Sequence, residues 1–346
     1  MVKPRAALDG IEPCEHGGVR EGATEKGIID FSVSLNPYGP PNFVSVAIKK
    51  AIEEISVYPD TECIELRTKL AEKFGCEQNE VVVGAGVSEL VQLVALSFAK
   101  ERVVIPRHTY GEYEPAARLM GAHITRVEMP DLRIDPDMIA EAMQPDDVVF
   151  LCNPNNPTGQ YLSGDEIARI VEAAERVDAL VVLDEAYVDF VTDAFPTYTL
   201  SKNHLIILRS LTKSFAIPGI RIGYALSSEA IINELEKVKV PWSVSACAQK
   251  VGAAVIGPEG DAFLAETRAR IERSKRKIEK VMDVHTDANF YILKVGNTAR
   301  EVKKEFLTRG IQVRDCTSFG LPTHIRFSVR TDEENERLLR YLTSFF

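Results

Sequence analysis

The chain has 346 residues, of which 45% are hydrophobic and 27% charged, ordinary values for a water-soluble protein with one large domain and a smaller one. Its formal net charge of -10 repels a phosphate backbone and argues against nucleic acid as a partner, so an anionic ligand needs a locally basic pocket. Six cysteines and six histidines form no Cys-x-x-Cys or His-x-x-x-His pair, which leaves no metal site; no apolar run approaches the ~20 residues of a membrane span, and scattered thiols fit a reducing cytoplasm.

In chain order, the first helical pattern covers 41–56, with Val44, Ile48, Ile52 and Ile55 on one stripe. Helical patterns over 64–75, 87–99, 112–121, 136–143, 163–177 and 228–238 then alternate with apolar runs over 81–84, 102–106, 124–129, 147–152, 179–184, 205–209 and 221–226. Nearly continuous apolar strands suit a sheet buried on both faces. The order predicts an α/β fold, a doubly wound domain with a mainly parallel sheet, over 40–245. Past residue 245 come long helices and then the strand-like runs NFYILKV, GIQVRD and THIRFSVR. They predict a smaller α+β domain from 246–346, joined in space by residues 1–39.

Three predicted strands run into polar sequence. One ends in Asn153-Pro154-Asn155-Asn156-Pro157-Thr158-Gly159, the next in Asp184-Glu185-Ala186-Tyr187, and the third in Ser210-Leu211-Thr212-Lys213, followed by Arg221. Each cluster alone reads as a turn or a helix cap. Ligands of open α/β sheets bind outside the carboxyl ends of strands, so three clusters there converge on one crevice. Gly84-Ala85-Gly86-Val87-Ser88 follows a strand and opens a helix, so its free amides suit a phosphate.

This ordered set resembles the fold-type I pyridoxal-phosphate (PLP) enzymes, the aspartate-aminotransferase or class I/II superfamily, over about residues 30–330. The resemblance implies PLP as cofactor, a homodimer with shared sites, and the PLP-transferase fold. Lys213 would hold the cofactor as a Schiff base, which requires an amine of depressed pKa. Asp184 would pair with the pyridine nitrogen and keep the ring an electron sink. Asn156 and Tyr187 would bind the phenolic oxygen, and Tyr110 would stack on the ring. Gly86, Val87, Ser88, Ser210, Thr212 and Arg221 would bind the cofactor phosphate. Tyr58, in Tyr58-Pro59-Asp60, would cross to the partner's cofactor; a simple turn competes with that reading.

The resemblance is nearest the branch that contains histidinol-phosphate aminotransferase and threonine-phosphate decarboxylase. His16-Gly17-Gly18, Asp30-Phe31-Ser32 and Asn36-Pro37-Tyr38-Gly39 look like the decarboxylase pattern, and Arg314, Arg326 and Arg330 match positions for substrate anions. The implied substrate-binding set is therefore Arg326, Arg314, His16, Gly17, Asn36, Asn156 and Arg330, acting on a phosphorylated amino compound. Decarboxylation of L-threonine O-3-phosphate, supplying cobalamin synthesis, is the leading expectation. Transamination of histidinol phosphate, or of amino acids more broadly, stays open.

Overall fold

The computed structural model describes residues 2, 3, 5–18 and 27–342. The remainder of the range expected for the smaller unit (1, 4, 19–26 and 343–346) lies outside the described residues. The N-terminal segment contributes β1 (Ile29–Asp30) and is followed by α1 (Asn42–Ala51) and α2 (Ile64–Phe74). Alternation then begins with β2 (Val81–Gly84), α3 (Val87–Phe98), β3 (Arg102–Pro106), α4 (Tyr113–Leu119), β4 (His123–Val127) and α5 (Pro136–Ala142). It continues through β5 (Val148–Cys152), α6 (Gly164–Val177), β6 (Leu180–Asp184) and β7 (Leu205–Ser210), which runs directly into the single turn α7 (Leu211–Ser214). After β8 (Gly223–Leu226) come α8 (Glu229–Val238), α9 (Ala246–Val255) and α10 (Pro258–Glu279). The chain ends in β9 (Phe290–Lys294), α11 (Ala299–Thr308), β10 (Ile311–Gln312), β11 (Arg314–Asp315), β12 (His324–Ser328) and α12 (Asp332–Leu342).

Seven strands form one sheet in the order β2-β8-β7-β6-β5-β3-β4. All neighbours are parallel except β8, which is antiparallel to both β2 and β7. Every residue of β2, β5 and β8 is buried, as the unbroken apolar runs require of a sheet covered on both faces. Only the edge strand β4 turns His123 and Arg126 to solvent. Local chemistry sets the helix limits. Ser163 and Glu166 form a reciprocal capping box at the start of α6, and Gly75 ends α2 in the left-handed conformation at φ 63.

The first helix departs from its predicted stripe. α1 stops at Ala51, and Val44, Ala47 and Ala51 take the buried positions. Ile52 and Ile55 lie beyond it, 58% and 71% exposed, because the chain tightens into a 3-10 turn over Ile52–Glu54 and leaves helical register. α9, expected on the smaller side of residue 245, instead packs on α1 and α2. Lys69 Nζ donates to the Ala253 carbonyl at 2.8 Å, and a β-carbon on Gly252 would stand 2.7 Å from Leu66.

Beyond α10, β11, β12 and β9 form an antiparallel sheet, while β1 pairs in parallel with β10. The Phe31 carbonyl accepts from the Ser328 amide at 2.9 Å, which ties the N-terminal segment to this second unit. Among the described residues no helix is long and apolar enough to cross a membrane.

Candidate active site

The carboxyl ends of β5, β6 and β7 lie side by side, with Cys152 opposite Asp184 in register. One cavity collects Val87, Ser88, Tyr110, Asn156, Asp184, Tyr187, Ser210, Thr212, Lys213 and Arg221. It therefore gathers side chains that the sequence spreads over more than a hundred positions, as expected at the open end of a parallel sheet.

Lys213 sits on α7 immediately after β7. Burial and the nearby Arg326 and Arg221 guanidiniums push its amine down to about 8, against the opposing pull of Asp184. An amine in that range is partly neutral near pH 7, the condition for a nucleophile. Burial pushes the Asp184 carboxyl up to about 6. The Tyr113 hydroxyl donates to Asp184 Oδ2 at 2.7 Å and the Ala186 amide to Oδ1 at 3.0 Å, and both bonds favour ionisation. Among the described residues no ion pair satisfies Asp184, so a buried carboxylate faces the cavity with room for a cationic N–H. That is the environment a pyridinium needs, and PLP fits it.

The end of the cavity at Gly86 is built on backbone. Gly86 has φ +88, and a β-carbon there would stand 2.5 Å from Arg221 Nη2, so glycine is needed both for conformation and for space. α3 follows Gly86, an N-cap that offers no side chain, which leaves the amides of Val87 and Ser88 at an open, dipole-positive helix end. Ser210 Oγ and Thr212 Oγ1 lie 2.9 Å apart. Arg221 is held by the Pro218 carbonyl at 3.2 Å and the Ala85 carbonyl at 3.4 Å.

Tyr110 and Tyr187 line the cavity, and further rings back them. Tyr110 meets Tyr113 edge to face at 5.4 Å, and Tyr113 stacks on Phe150 at 4.9 Å. Tyr187 lies edge to face with Phe290 at 5.0 Å.

A wider cavity of about 920 Å³ opens from this floor and adds His16, Gly17, Ser32, Arg314 and Arg326 to Lys213, Asn156 and Tyr187. Arg314 and Arg326 are register partners on β11 and β12. Arg326 donates to Asn156 Oδ1 and to the Ser32 carbonyl, but its Nε has no hydrogen-bond partner. Arg314 donates to Ser318 Oγ at 2.6 Å and to the Glu15 carbonyl. Its Nη1 makes no hydrogen bond, with the Glu15 carboxylate 3.7 Å away. Burial and Arg326 hold the Arg314 pKa below its ordinary value. Like charges on directly opposed strand positions are destabilising, and an anion arriving in the cavity relieves that repulsion.

The N-terminal motifs prove to be supports for this wall. Asp30 Oδ1 accepts from the Ser32 amide at 2.8 Å and hydroxyl at 2.6 Å, which fixes the Ser32 carbonyl against Arg326. Gly17 passes so close that a β-carbon would be 2.4 Å from that carbonyl, and the Gly18 amide donates to Ser32 Oγ at 2.8 Å. His16 reaches the cavity, its Nε2 2.8 Å from Glu112 Oε1.

Three expected residues lie elsewhere. Asn36 is buried, and its amide donates to the Ser214 carbonyl at 2.7 Å and to Thr267 at 3.0 Å; it clamps the segment after Lys213 and does not line the cavity. Arg330 donates to the Asp30 carbonyl and pairs with Glu334, both at 3.0 Å, so its charge is already spent outside the cavity. Tyr58 is 78% exposed and stacks on Trp242 at 4.5 Å, away from the cavity of its own chain. Sequence reasoning missed Tyr113, His108 and Glu15. Tyr113 sits three positions after Tyr110 and reads as a helix residue, while His108 and Glu15 adjoin the Tyr110 and His16 segments with nothing in the sequence to show what they touch.

The profile of the family described as "Aminotransferase class I and II" matches residues 26–342. Histidinol-phosphate aminotransferase 2 of Archaeoglobus fulgidus is 36% identical over 96% of this chain and 97% of its own length. A provisionally named threonine-phosphate decarboxylase of Caldanaerobacter subterraneus is 33% identical over 97% of this chain and 95% of its own. The crystal structure of histidinol-phosphate aminotransferase from Clostridium acetobutylicum superposes with a TM-score of 0.83 at 25% identity, covering 91% of this chain and 98% of that one.

Proposed function

We propose that this chain, which belongs to the aminotransferase class I and II family and is an enzyme of that PLP-dependent class, removes carbon dioxide from L-threonine O-3-phosphate. The observation that carries the reading is the pair Arg314 and Arg326. They occupy register-paired positions and both line the cavity that holds Lys213, so two cations face one space. Threonine phosphate brings a carboxylate and a phosphate to such a pair, whereas histidinol phosphate brings one anion.

Lys213 would carry the cofactor covalently, Asp184 would face the pyridine nitrogen, and Asn156 and Tyr187 the phenolic oxygen, with Tyr110 over the ring. Gly86, Val87, Ser88, Ser210, Thr212 and Arg221 would take its phosphate. When bound, PLP supplies an electron sink for negative charge at the substrate's Cα. Which Cα bond breaks depends on which is held perpendicular to the ring, and that is the task of the arginines. Arg326 is tied to Asn156 at the cofactor end and would take the carboxylate. Arg314 lies with Ser318 and the His16 segment on the outer wall and would take the phosphate. The product, aminopropanol phosphate, would serve cobalamin-type cofactor synthesis in the cytoplasm.

The same reading includes a homodimer. Ile52, Ile55, Val57 and Tyr58 are 58%, 71%, 65% and 78% exposed, and Trp242, stacked on Tyr58, is 48% exposed. Exposed apolar residues gathered in one segment suit a protein partner, and a second copy would receive Tyr58 at its cofactor phosphate.

The test is to incubate the PLP-loaded protein with threonine phosphate alone and, separately, with histidinol phosphate plus 2-oxoglutarate. Carbon dioxide from the first supports the decarboxylase. Glutamate from the second, without carbon dioxide from the first, assigns the chain to the aminotransferases instead.

A further inference from the structure

We propose that His108 is a positioning residue that fixes Arg314 from across the cavity; the proposal rests on the reading that Arg314 meets the substrate phosphate. His108 stands on a rigid base. Its carbonyl accepts from Asn155 Nδ2 at 2.9 Å, and Thr109 Oγ1 donates to Asn155 Oδ1 at 3.0 Å. This places the backbone of the Tyr110 loop under the same asparagine-rich turn that shapes the cofactor floor.

From that base the imidazole reaches a segment 211 positions away. His108 Nδ1 lies 2.7 Å from the Phe319 carbonyl. A carbonyl only accepts, so Nδ1 carries the hydrogen and donates. The receiving turn, Thr317–Phe319 followed by Gly320, is braced by Thr317, whose amide and hydroxyl donate to Asp315 Oδ1 at 2.9 and 2.6 Å. Gly320 has φ +76, and a β-carbon on it would touch the imidazole at 3.5 Å, so the ring packs against the turn as well as bonding to it.

That turn is what aims Arg314. Ser318 Oγ accepts from Arg314 Nη2 at 2.6 Å, and the Phe319 ring lies 5.2 Å from the guanidinium. β11, which carries Arg314, is only two residues long, and a strand so short fixes little by itself. His108 holds the Phe319 carbonyl, the turn holds Ser318 and the Phe319 ring, and these hold the guanidinium. The large and small units are thereby joined at the residue that would read the phosphate, so His108 sets how strongly a phosphorylated substrate is preferred without touching the cofactor.

The experiment measures KM and kcat for the phosphorylated substrate that the enzyme turns over, threonine phosphate or histidinol phosphate, and for its dephosphorylated counterpart. It compares wild type, His108→Ala, His108→Asn, Arg314→Ala and the double variant His108→Ala/Arg314→Ala, all PLP-loaded. His108→Ala is expected to raise KM for the phosphorylated substrate about tenfold, the scale of one lost hydrogen bond, with kcat within about twofold and the visible PLP band unchanged. His108→Asn, which keeps a donor, should recover part of the loss. In the Arg314→Ala background the His108→Ala effect should vanish, since residues acting through one partner are not additive. Equal His108→Ala effects in both backgrounds, or an unchanged KM beside a raised KM in Arg314→Ala, overturn the proposal. An unchanged KM in Arg314→Ala itself overturns the Arg314 reading and this proposal with it. The choice between decarboxylase and aminotransferase does not affect the test, because both substrates carry the phosphate.

Discussion

The Tyr113 hydroxyl donates a 2.7 Å hydrogen bond to Oδ2 of Asp184 inside a fully buried pair. Burial pushes the Asp184 carboxyl up to about 6, and this bond opposes the rise. Tyr113→Phe removes the opposing donor, so Asp184 should ionise only at higher pH. The acid limb of kcat/KM is expected to move upward. In the apoprotein the sign is checkable by denaturation. A carboxylate whose folded pKa is raised destabilises the fold as pH climbs from the unfolded value toward the folded one. That decline should extend above pH 6 in Tyr113→Phe, and identical pH–stability curves would contradict the assignment.

Lys213 gives a second linkage test. Its amine is pushed down from 10.5 to about 8. Below pH 8 the folded apoprotein carries the penalty of a buried ammonium. Between about 8 and 10.5 the unfolded chain binds the extra proton, so stability rises with pH. Comparison with Lys213→Met should show this rise as a difference on the order of 1–3 kcal/mol, since one pKa unit is worth about 1.4 kcal/mol. In the loaded protein, borohydride should fix the label on Lys213, as read by mass spectrometry.

Gly86→Ala should weaken cofactor binding. The new methyl meets Arg221 Nη2 at 2.5 Å in a backbone with φ +88, so the guanidinium must leave the cup or the backbone must shift. Positive φ costs a non-glycine residue about 1–2 kcal/mol. The PLP dissociation constant measured by visible titration is expected to rise at least tenfold, with a smaller loss in thermal midpoint.

Tyr58 tests the shared site. If it serves a second copy, a Tyr58→Phe subunit and a Lys213→Ala subunit, each impaired alone, should recover part of their activity when exchanged into mixed dimers, because one composite site is then intact. Sedimentation showing a monomer at assay concentration would remove the basis for this prediction.

Much of the large unit was legible because buried strands and amphipathic helices carry opposite periodicities. All seven sheet strands were anticipated, with β2 and β3 falling on their expected residues. The cavity floor was legible because three polar clusters, each an ordinary turn by itself, follow strands of one sheet whose carboxyl ends converge. What escaped were relationships made by tertiary contact. Nothing in the sequence distinguishes Arg330, paired with Glu334 outside the cavity, from Arg326, which lines the cavity. Nor does it show that Asn36 faces Ser214 rather than a ligand. Ile52 and Ile55 continue a helical stripe that the fold ends at Ala51, where a 3-10 turn takes over, a change that the spacing of apolar residues does not reveal.

The two arginines carry the last prediction. Arg326 donates to Asn156 and Ser32, which on the proposed reading sets it near the substrate's Cα, and Arg314 lies on the outer wall with Ser318. Arg326→Ala should therefore impair threonine phosphate and unphosphorylated threonine alike. Arg314→Ala should impair threonine phosphate and leave threonine nearly unchanged. Truncating one side of a desolvated ion pair costs about 2–5 kcal/mol, which corresponds to at least about thirtyfold in kcat/KM. Both variants should keep the visible PLP band, because neither arginine lies among the groups at the cofactor phosphate. Steady-state rates on the two substrates separate the roles. A loss confined to threonine phosphate in Arg326→Ala, with Arg314→Ala affecting both substrates, would exchange the two assignments, and equal effects of the two variants on both substrates would mean that the pair binds a single anion.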